Sequence, residues 1–446
     1  MSWQRRLPFY YGWIIAAIIF ICFAVGYAAY HSFSIFYVAI LNDFGWSRAS
    51  TAAAYSAFSL IYGFTAPLAG WMIDRWGPRL VVPCAAVILG AGLLLTSQMT
   101  EIWQFFLLYG VISALGMQSM GIVPNFTFLS SWFVRKRGTV WGLAVAGVGV
   151  GTFIFAPLLQ SIISAHGWRT AYIVLACAII LVVPTLYLGF ARRQPQDLGM
   201  LPDGEDAATT TAANSATKAY AKDCIVDQEW AARDWSLGMA MRTRRFWAAF
   251  AGRFFETASM NVYLTHQAAY LGDMGQDKMI AASVVGMVGL IGSFGKALWG
   301  AVSDAVGREV SYLVVFAAGT VGATLLMLVR QGTDPWFIYL YALVYGICYG
   351  ASSVLFLCVM GDLFQGKRAG AIVGGGYVAG GFGLAFGAFF GGYVFDLIGD
   401  YRWAFGATIP MMWLACLLYW LASPRKVRLV AGKLKGRMAE ACGKTG

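Results

Sequence analysis

Lys296 lies in VVGMVGLIGSFGKALWGAVSDAVGR, Val284 to Arg308, a run that is almost wholly apolar. A lysine in the middle of such a helix costs roughly 2.5–3.5 kcal/mol on insertion scales. It either snorkels to a membrane edge or holds an anion. About eight residues, roughly 12 Å of helical rise, separate it from Asp304. His31, in AAYHSFSIFY, is a second candidate, because imidazole can take a proton near neutral pH; a satisfied core histidine is the plainer role. In RFFETASMNVYLTHQAAYL, Arg253 and Glu256 are three residues apart and can pair along one helix face. Glu256 can alternatively carry a proton. Asn261 and Asn125 can donate hydrogen bonds to a solute, and Tyr345, Tyr349 and Tyr377 can line a cavity, although tyrosines also serve in packing. His266 reads as a residue nearer the outer boundary, and Asp396 as a cap or ion-pair partner at the outer end of its run.

The elements that must position these residues follow from composition. Of 446 residues, 59% are hydrophobic and 12% charged, whereas soluble domains are about one quarter charged. Many apolar stretches reach about 20 residues, enough to cross a bilayer as a helix. Their richness in Gly, Ala and Pro argues against barrel strands. The expected architecture is therefore an all-α membrane protein with twelve spans, near 11–41, 48–73, 80–98, 103–130, 137–164, 169–190, 245–272, 279–302, 309–330, 335–362, 368–397 and 401–423. The N-terminal run from Trp13 is read as the first span rather than a cleaved signal. The eight cysteines are scattered without metal-ligand spacing, so no metal or cofactor is expected. No nucleophile–base motif argues for an enzyme.

Charge sets the expected sidedness. The clusters Arg75/Arg79, Arg135/Lys136/Arg137, Arg192/Arg193, Arg242/Arg244/Arg245, Arg308, Lys367/Arg368 and the basic tail from Arg425 fall on one side. Asp43, Glu101, Asp273, Asp277, Asp334 and Asp400 fall on the other. By the positive-inside rule both termini are cytoplasmic, and the net charge of +11 reflects basic loops at the bilayer rather than nucleic-acid binding. The domains expected are a six-helix bundle over 1–190, a linker over 191–244, a second bundle over 245–423 and a basic tail over 424–446. GEDAATTTAANSATKAYAKD reads as a flexible linker, and QEWAARDWSLGMAMRTRRFW as an amphipathic surface helix leading into the seventh span.

The halves echo one another. GWMIDRWGPR follows the second span and GAVSDAVGR the eighth; KRGTVWGLAVAGVGVG opens the fifth and KRAGAIVGGGYVAGGFG the eleventh. Such repeats imply two pseudo-symmetric bundles with a site between them near the midplane. Gly70, Asp74, Arg75, Gly77 and Arg79 match G-x-x-x-D-R-x-G-x-R, with Asp304 and Arg308 as its echo. This pattern resembles the major facilitator superfamily, and the resemblance implies a gate at the cytoplasmic helix ends.

SWFVRKRGTVWGLAVAGVGVG is similar to the signature of monocarboxylate transporters and their bacterial relatives, through Trp132, Phe133, Lys136, Arg137, Gly142, Ala144, Ala146, Gly147 and Gly151. FYYGWII and THQAAYLGDMG also resemble that group. Small residues at this spacing let helices approach closely, and packing is the role expected of Gly142, Ala146 and Gly147. The group usually carries a carboxylate-binding Arg where Lys296 stands, so the resemblance implies that Lys296 binds the substrate carboxylate, as a point charge. A Lys implicated in proton and substrate handling in the animal transporters aligns with His31. Their proton-linked Asp is replaced by Gly292, which puts symport through that position in doubt. The second basic residue of the related oxalate–formate exchangers, in the eleventh span, has no counterpart here.

The resemblance thus implies a plasma (inner) membrane transporter, working as a monomer, that moves a small lactate- or pyruvate-like monocarboxylate by alternating access. His31 or Glu256 would take the proton if there is symport. The alternatives are an exchanger or efflux pump for another organic solute, or a non-transporting sensor.

Overall fold

The computed structural model describes residues 9–133, 137–192, 194–198, 200, 225–364, 369–430 and 433. Its long segments are α1 (Gly12–His31), α2 (Phe33–Phe44), α3 (Arg48–Phe64), α4 (Ala66–Trp76) and α5 (Pro78–Thr96). Helix α6 (Ile102–Phe105) passes through a π-helical stretch, Phe106–Ser113, into α7 (Ala114–Ser119). Then come α8 (Ile122–Trp132) and α9 (Arg137–Phe190). Within the end of the linker stand two short helices, α10 (Gln228–Ala232) and α11 (Leu237–Ala240). The remainder is α12 (Arg244–Asp273), α13 (Lys278–Val306), α14 (Arg308–Leu328), α15 (Pro335–Leu363), α16 (Ala369–Ile398) and α17 (Tyr401–Ala422). Among the described residues, nine stretches are long and apolar enough to cross a bilayer.

Local chemistry explains several boundaries. The first apolar run is interrupted at Ser32, between α1 and α2, yet Gly12–Phe44 together make one stretch able to cross a bilayer, as expected for the first span. The second breaks at Thr65, with Pro67 in the first turn of α4, where its missing N–H interrupts the hydrogen-bond ladder back to α3. Helix α9 turns at Gly167 (φ 85°), dividing it near the expected boundary of 164–169. Gly77 (φ 78°) and Gly307 (φ 109°) occupy the two corresponding turns of the repeated motif. Both lie in the left-handed half of backbone space that glycine adopts without a Cβ penalty.

Packing repeats as well. A Cβ on Gly147 or Gly151 of α9 would run into the carbonyls of Phe20 and Ala24 in α1. A Cβ on Gly383 or Gly387 of α16 would do the same to Phe254 and Ala258 in α12. In hydrocarbon, where apolar burial gives no drive between helices, such close backbone contact supplies the association. Gly142 differs from the expectation: nothing lies within 4 Å of its would-be Cβ. The two aromatic motifs of the N-terminal half clasp each other. Tyr10 Oη donates to the Trp132 carbonyl (2.9 Å) and Tyr11 Oη to that of Phe190 (2.8 Å).

The linker's end is not the single surface helix expected. Helices α10 and α11 fold against the C-terminal half, with Trp230 Nε1 donating to the Leu363 carbonyl (2.6 Å) and Trp235 buried edge-on to Phe364. The segment GEDAATTTAANSATKAYAKD and the basic residues Arg135, Lys136, Lys367 and Arg368 lie outside the described residues.

Candidate functional site

Helix α13 carries Lys296 on the face it turns to the N-terminal half. Gly286 packs on Phe153, Gly289 on Thr152, and Gly149 of α9 meets Ser293. Positions 286, 289, 293 and 296 are three and four apart and so share one face. The neighbouring face, with Gly292, Gly295 and Trp299, packs on α15 instead. Lys296 is half-buried, and its ammonium is within electrostatic reach of His31. Among the described residues no carboxylate pairs with it.

His31 ends α1 at the break before Ser32, which leaves its ring at the interface between the halves. Its ring centroid is 6.2 Å from Tyr349 of α15, 6.0 Å from Tyr27 and 4.9 Å from Tyr30. Tyr27 and Tyr62 share a hydrogen bond of 3.0 Å, and Tyr30 packs against Tyr55 and Tyr62. Sequence reasoning missed Tyr27, Tyr30, Tyr55 and Tyr62; their spacings of three and seven residues on two helices were the available signal. Gly292 is explained here too: a Cβ on it would lie 2.6 Å from Tyr349 Cδ1, so the tyrosine ring fills the space an aspartate would need.

Arg253 and Glu256 form the expected pair, Nη1 to Oε2 at 3.1 Å. Arg253 also donates to Ser352 Oγ (2.8 Å) and stacks over Phe356 and Tyr377, while Tyr419 Oη donates to Glu256 Oε2 (2.6 Å). Glu256 is fully buried within the C-terminal half, and its Oε1 has no partner among the described residues. The pair is neutral as a unit. Lys296 therefore remains the uncompensated charge among the described residues at this level.

The other expected ligands divide. Tyr349 and Tyr377 are half-buried and stand beside His31 and Arg253 respectively. Three expected residues are turned to other work. Asn125 is fully buried, donates to the carbonyls of Met120 (2.8 Å) and Gly121 (3.0 Å), and accepts from Tyr187, so its amide is consumed inside the N-terminal half. Asn261 donates from Nδ2 to the Leu384 carbonyl (2.5 Å), tying α12 to α16, while its buried Oδ1 has no partner among the described residues. Tyr345 is buried and donates to the Met260 carbonyl (3.0 Å). Sequence cannot separate a satisfied buried amide from a waiting one, because the partners are backbone carbonyls on other turns and helices.

The repeated motif behaves differently in the two halves. Arg308 bridges Asp304 (2.7 Å) and Asp362 (2.9 Å), joining the ends of α13, α14 and α15. Arg75 stacks over Trp71 and Trp76, and Arg79 donates to the Leu188 carbonyl (2.8 Å). Gly70 lies within α4; the side chain of Asp74 is outside the described set.

At the end of the molecule opposite these arginines the halves are fastened together. Arg48 at the start of α3 pairs with Asp273 at the end of α12, and its guanidinium lies 3.7 Å above the Phe395 ring. Asp396 of α16 accepts from the backbone N–H groups of Arg48 (3.0 Å) and Ala49 (2.8 Å), so one half caps a helix of the other. His266, fully buried rather than interfacial, donates from Nε2 to the Ala388 carbonyl (2.8 Å) and lies 3.2 Å through Nδ1 from Tyr401 Oη. Nearer the middle, Ser56 donates to the Ala385 carbonyl (2.6 Å) and Gly63 meets Gly381. These contacts fasten the end opposite the arginines, while His31, Lys296, Tyr349 and Tyr377 are each half-buried.

The sequence model of the Major Facilitator Superfamily matches residues 18–374 and 298–440. The chain is similar to monocarboxylate transporter 13 of Rattus norvegicus, at 25% identity over 89% of this chain and 85% of that protein. It is also similar to the oxalate:formate antiporter of Oxalobacter formigenes, at 23% identity over 79% and 77%. Monocarboxylate transporter 2 of Homo sapiens is 24% identical over 95% and 88%. Among solved structures, a bacterial homolog of the human lysosomal transporter Spinster, inward-facing and occupied, superposes with a TM-score of 0.66 at 15% identity, covering 92% of this chain and 96% of that one. The nucleoside transporter NupG superposes with a TM-score of 0.67 at 13% identity, covering 92% and 100%. With the repeated motif, the two-fold packing and the match over most of its length, this chain belongs to the Major Facilitator Superfamily.

Proposed function

We propose that the chain is a secondary active transporter that moves a small monocarboxylate across the plasma membrane by alternating access, as a monomer with both termini cytoplasmic. The observation that carries this reading is Lys296. It is half-buried on the face of α13 turned to the N-terminal half, within electrostatic reach of His31, which itself packs on Tyr349, and without a carboxylate partner among the described residues. A single uncompensated cation matches a monoanion, whose carboxylate would accept from the ammonium. The relatives named for monocarboxylates support the substrate class. His31 is the better-placed proton carrier, because it borders the same cleft as Lys296, whereas Glu256 would first have to leave Arg253 and Tyr419.

A screen of small carboxylates in proteoliposomes, with and without a pH gradient, tests the reading. Uptake by the wild type, with loss of at least tenfold in Lys296→Gln and recovery in Lys296→Arg, is expected. Equal uptake by wild type and Lys296→Gln overturns the site. A second reading, exchange of organic anions, draws on the similarity to an oxalate:formate antiporter and on Gly292 standing where an acid would be needed for coupling there. Counterflow without pH-driven accumulation would favour it.

A further inference from the structure

A cavity of about 240 Å³ lies where α13 meets α14 and the chain leaves α17. Arg308, Arg425, Arg428 and Lys433 line it, with Glu309 as the acid. Not all of this charge is available. Arg308 is bound to Asp304 and Asp362, and Glu309 Oε1 accepts from the Arg425 backbone N–H (3.1 Å) and lies 3.9 Å from the Arg425 guanidinium Nε. Arg428 and Lys433 form no ion pair within 4 Å among the described residues, although Asp362 is within electrostatic reach of Arg428, and Arg428 Nε is buried without an acceptor there.

Three further features shape the cavity. Helix α14 begins at its edge behind Gly307, which has no side chain to cap the first amides, so the positive end of a 21-residue helix faces it. The tail is held in place: Val226 N–H donates to the Val427 carbonyl (2.9 Å), and Ile225 bridges to Arg428. The wall leading away from it is apolar and exposed, with Val310 and Leu313 on α14 and Leu417 and Leu421 on α17. A cationic cup with an apolar wall, at the level where spans end, has the chemistry of an anionic headgroup site.

We propose that this cavity binds a phosphate group, that of an anionic phospholipid whose chains lie along α14 and α17, at a site separate from the Lys296 cleft. Free inorganic phosphate presents the same oxygen acceptors, and the experiment separates the two sources.

The purified full chain in detergent is examined by native mass spectrometry with phosphatidylglycerol or phosphatidylcholine, and by thermal shift with inorganic phosphate. The wild type is expected to retain one phosphatidylglycerol in preference to phosphatidylcholine, and the triple variant Arg425→Gln/Arg428→Gln/Lys433→Gln to lose that preference by about tenfold. Stabilisation of the wild type but not the variant by inorganic phosphate, without lipid preference, would keep the phosphate site and assign its source to solution. Equal behaviour of wild type and variant toward both ligands overturns the site. Should the triple variant not fold, Arg428→Gln alone carries the same comparison. Arg308 is left intact, since it ties three helix ends together.

Discussion

Arg48 and Asp273 lie in opposite halves of the molecule and meet in a two-pronged ion pair, Nη1 to Oδ2 at 2.7 Å and Nη2 to Oδ1 at 2.9 Å. Paired forks of this kind fix orientation as well as charge. The Asp396 cap on α3 and the Arg48 stack on Phe395 act at the same place. Together they fasten the two halves at one end. If the chain works by alternating access, as proposed above, this contact must break, and its strength biases the balance between states.

Asp273→Asn is therefore expected to raise the population open at the Arg48 end by on the order of fivefold or more, the scale of a modest coupling energy. In a background with the native cysteines replaced, labelling of Ser56→Cys by a membrane-impermeant maleimide reads this out. Unchanged labelling would mean that the Asp396 cap and the aromatic stack hold the closure alone.

His31 borders the Lys296 cleft. If it carries the coupled proton, His31→Gln should abolish the acid stimulation of uptake while leaving counterflow at a fixed pH. Retained acid stimulation would move the proton to another group.

Glu256 neutralises a buried arginine. Glu256→Gln leaves the Arg253 charge uncompensated, and the expected cost is about 3–5 kcal/mol of stability, with part of it regained in Arg253→Met/Glu256→Leu. Melting of the purified protein measures this. A stable Glu256→Gln protein with only its pH coupling lost would instead assign the proton to Glu256.

Gly147 and Gly383 make equivalent backbone contacts in the two halves, and Gly142 makes none. Gly147→Val and Gly383→Val should each destabilise by about 1–3 kcal/mol through overpacking. Gly142→Ala should stay within about 0.5 kcal/mol. Thermal melting of the three variants side by side tests whether the repeat in sequence is also a repeat in packing energy.

Hydrophobic runs and turn chemistry are local properties, so sequence alone determined the helical membrane class, the order of the long segments and the turns at Gly77 and Gly307. It also singled out Lys296, because a charge in an apolar run is costly wherever that run folds. Which polar residues remain free for a ligand is a matter of partners, and these come from distant parts of the chain. Asn125, Asn261 and Tyr345 carry the same functional groups as residues around His31, yet carbonyls at Met120, Leu384 and Met260 take up their donors, and of the Asn261 amide only Oδ1 is left unpartnered among the described residues. Tyr62 reaches the His31 cluster from the second apolar run, and Tyr349 from the other half. Only the tertiary structure decided that Arg48, Asp273 and Asp396 form one fastening, because they are hundreds of residues apart and meet only when the two halves close. Sequence reports where a charge is costly, whereas its neutralisation depends on geometry between elements, which no local pattern encodes.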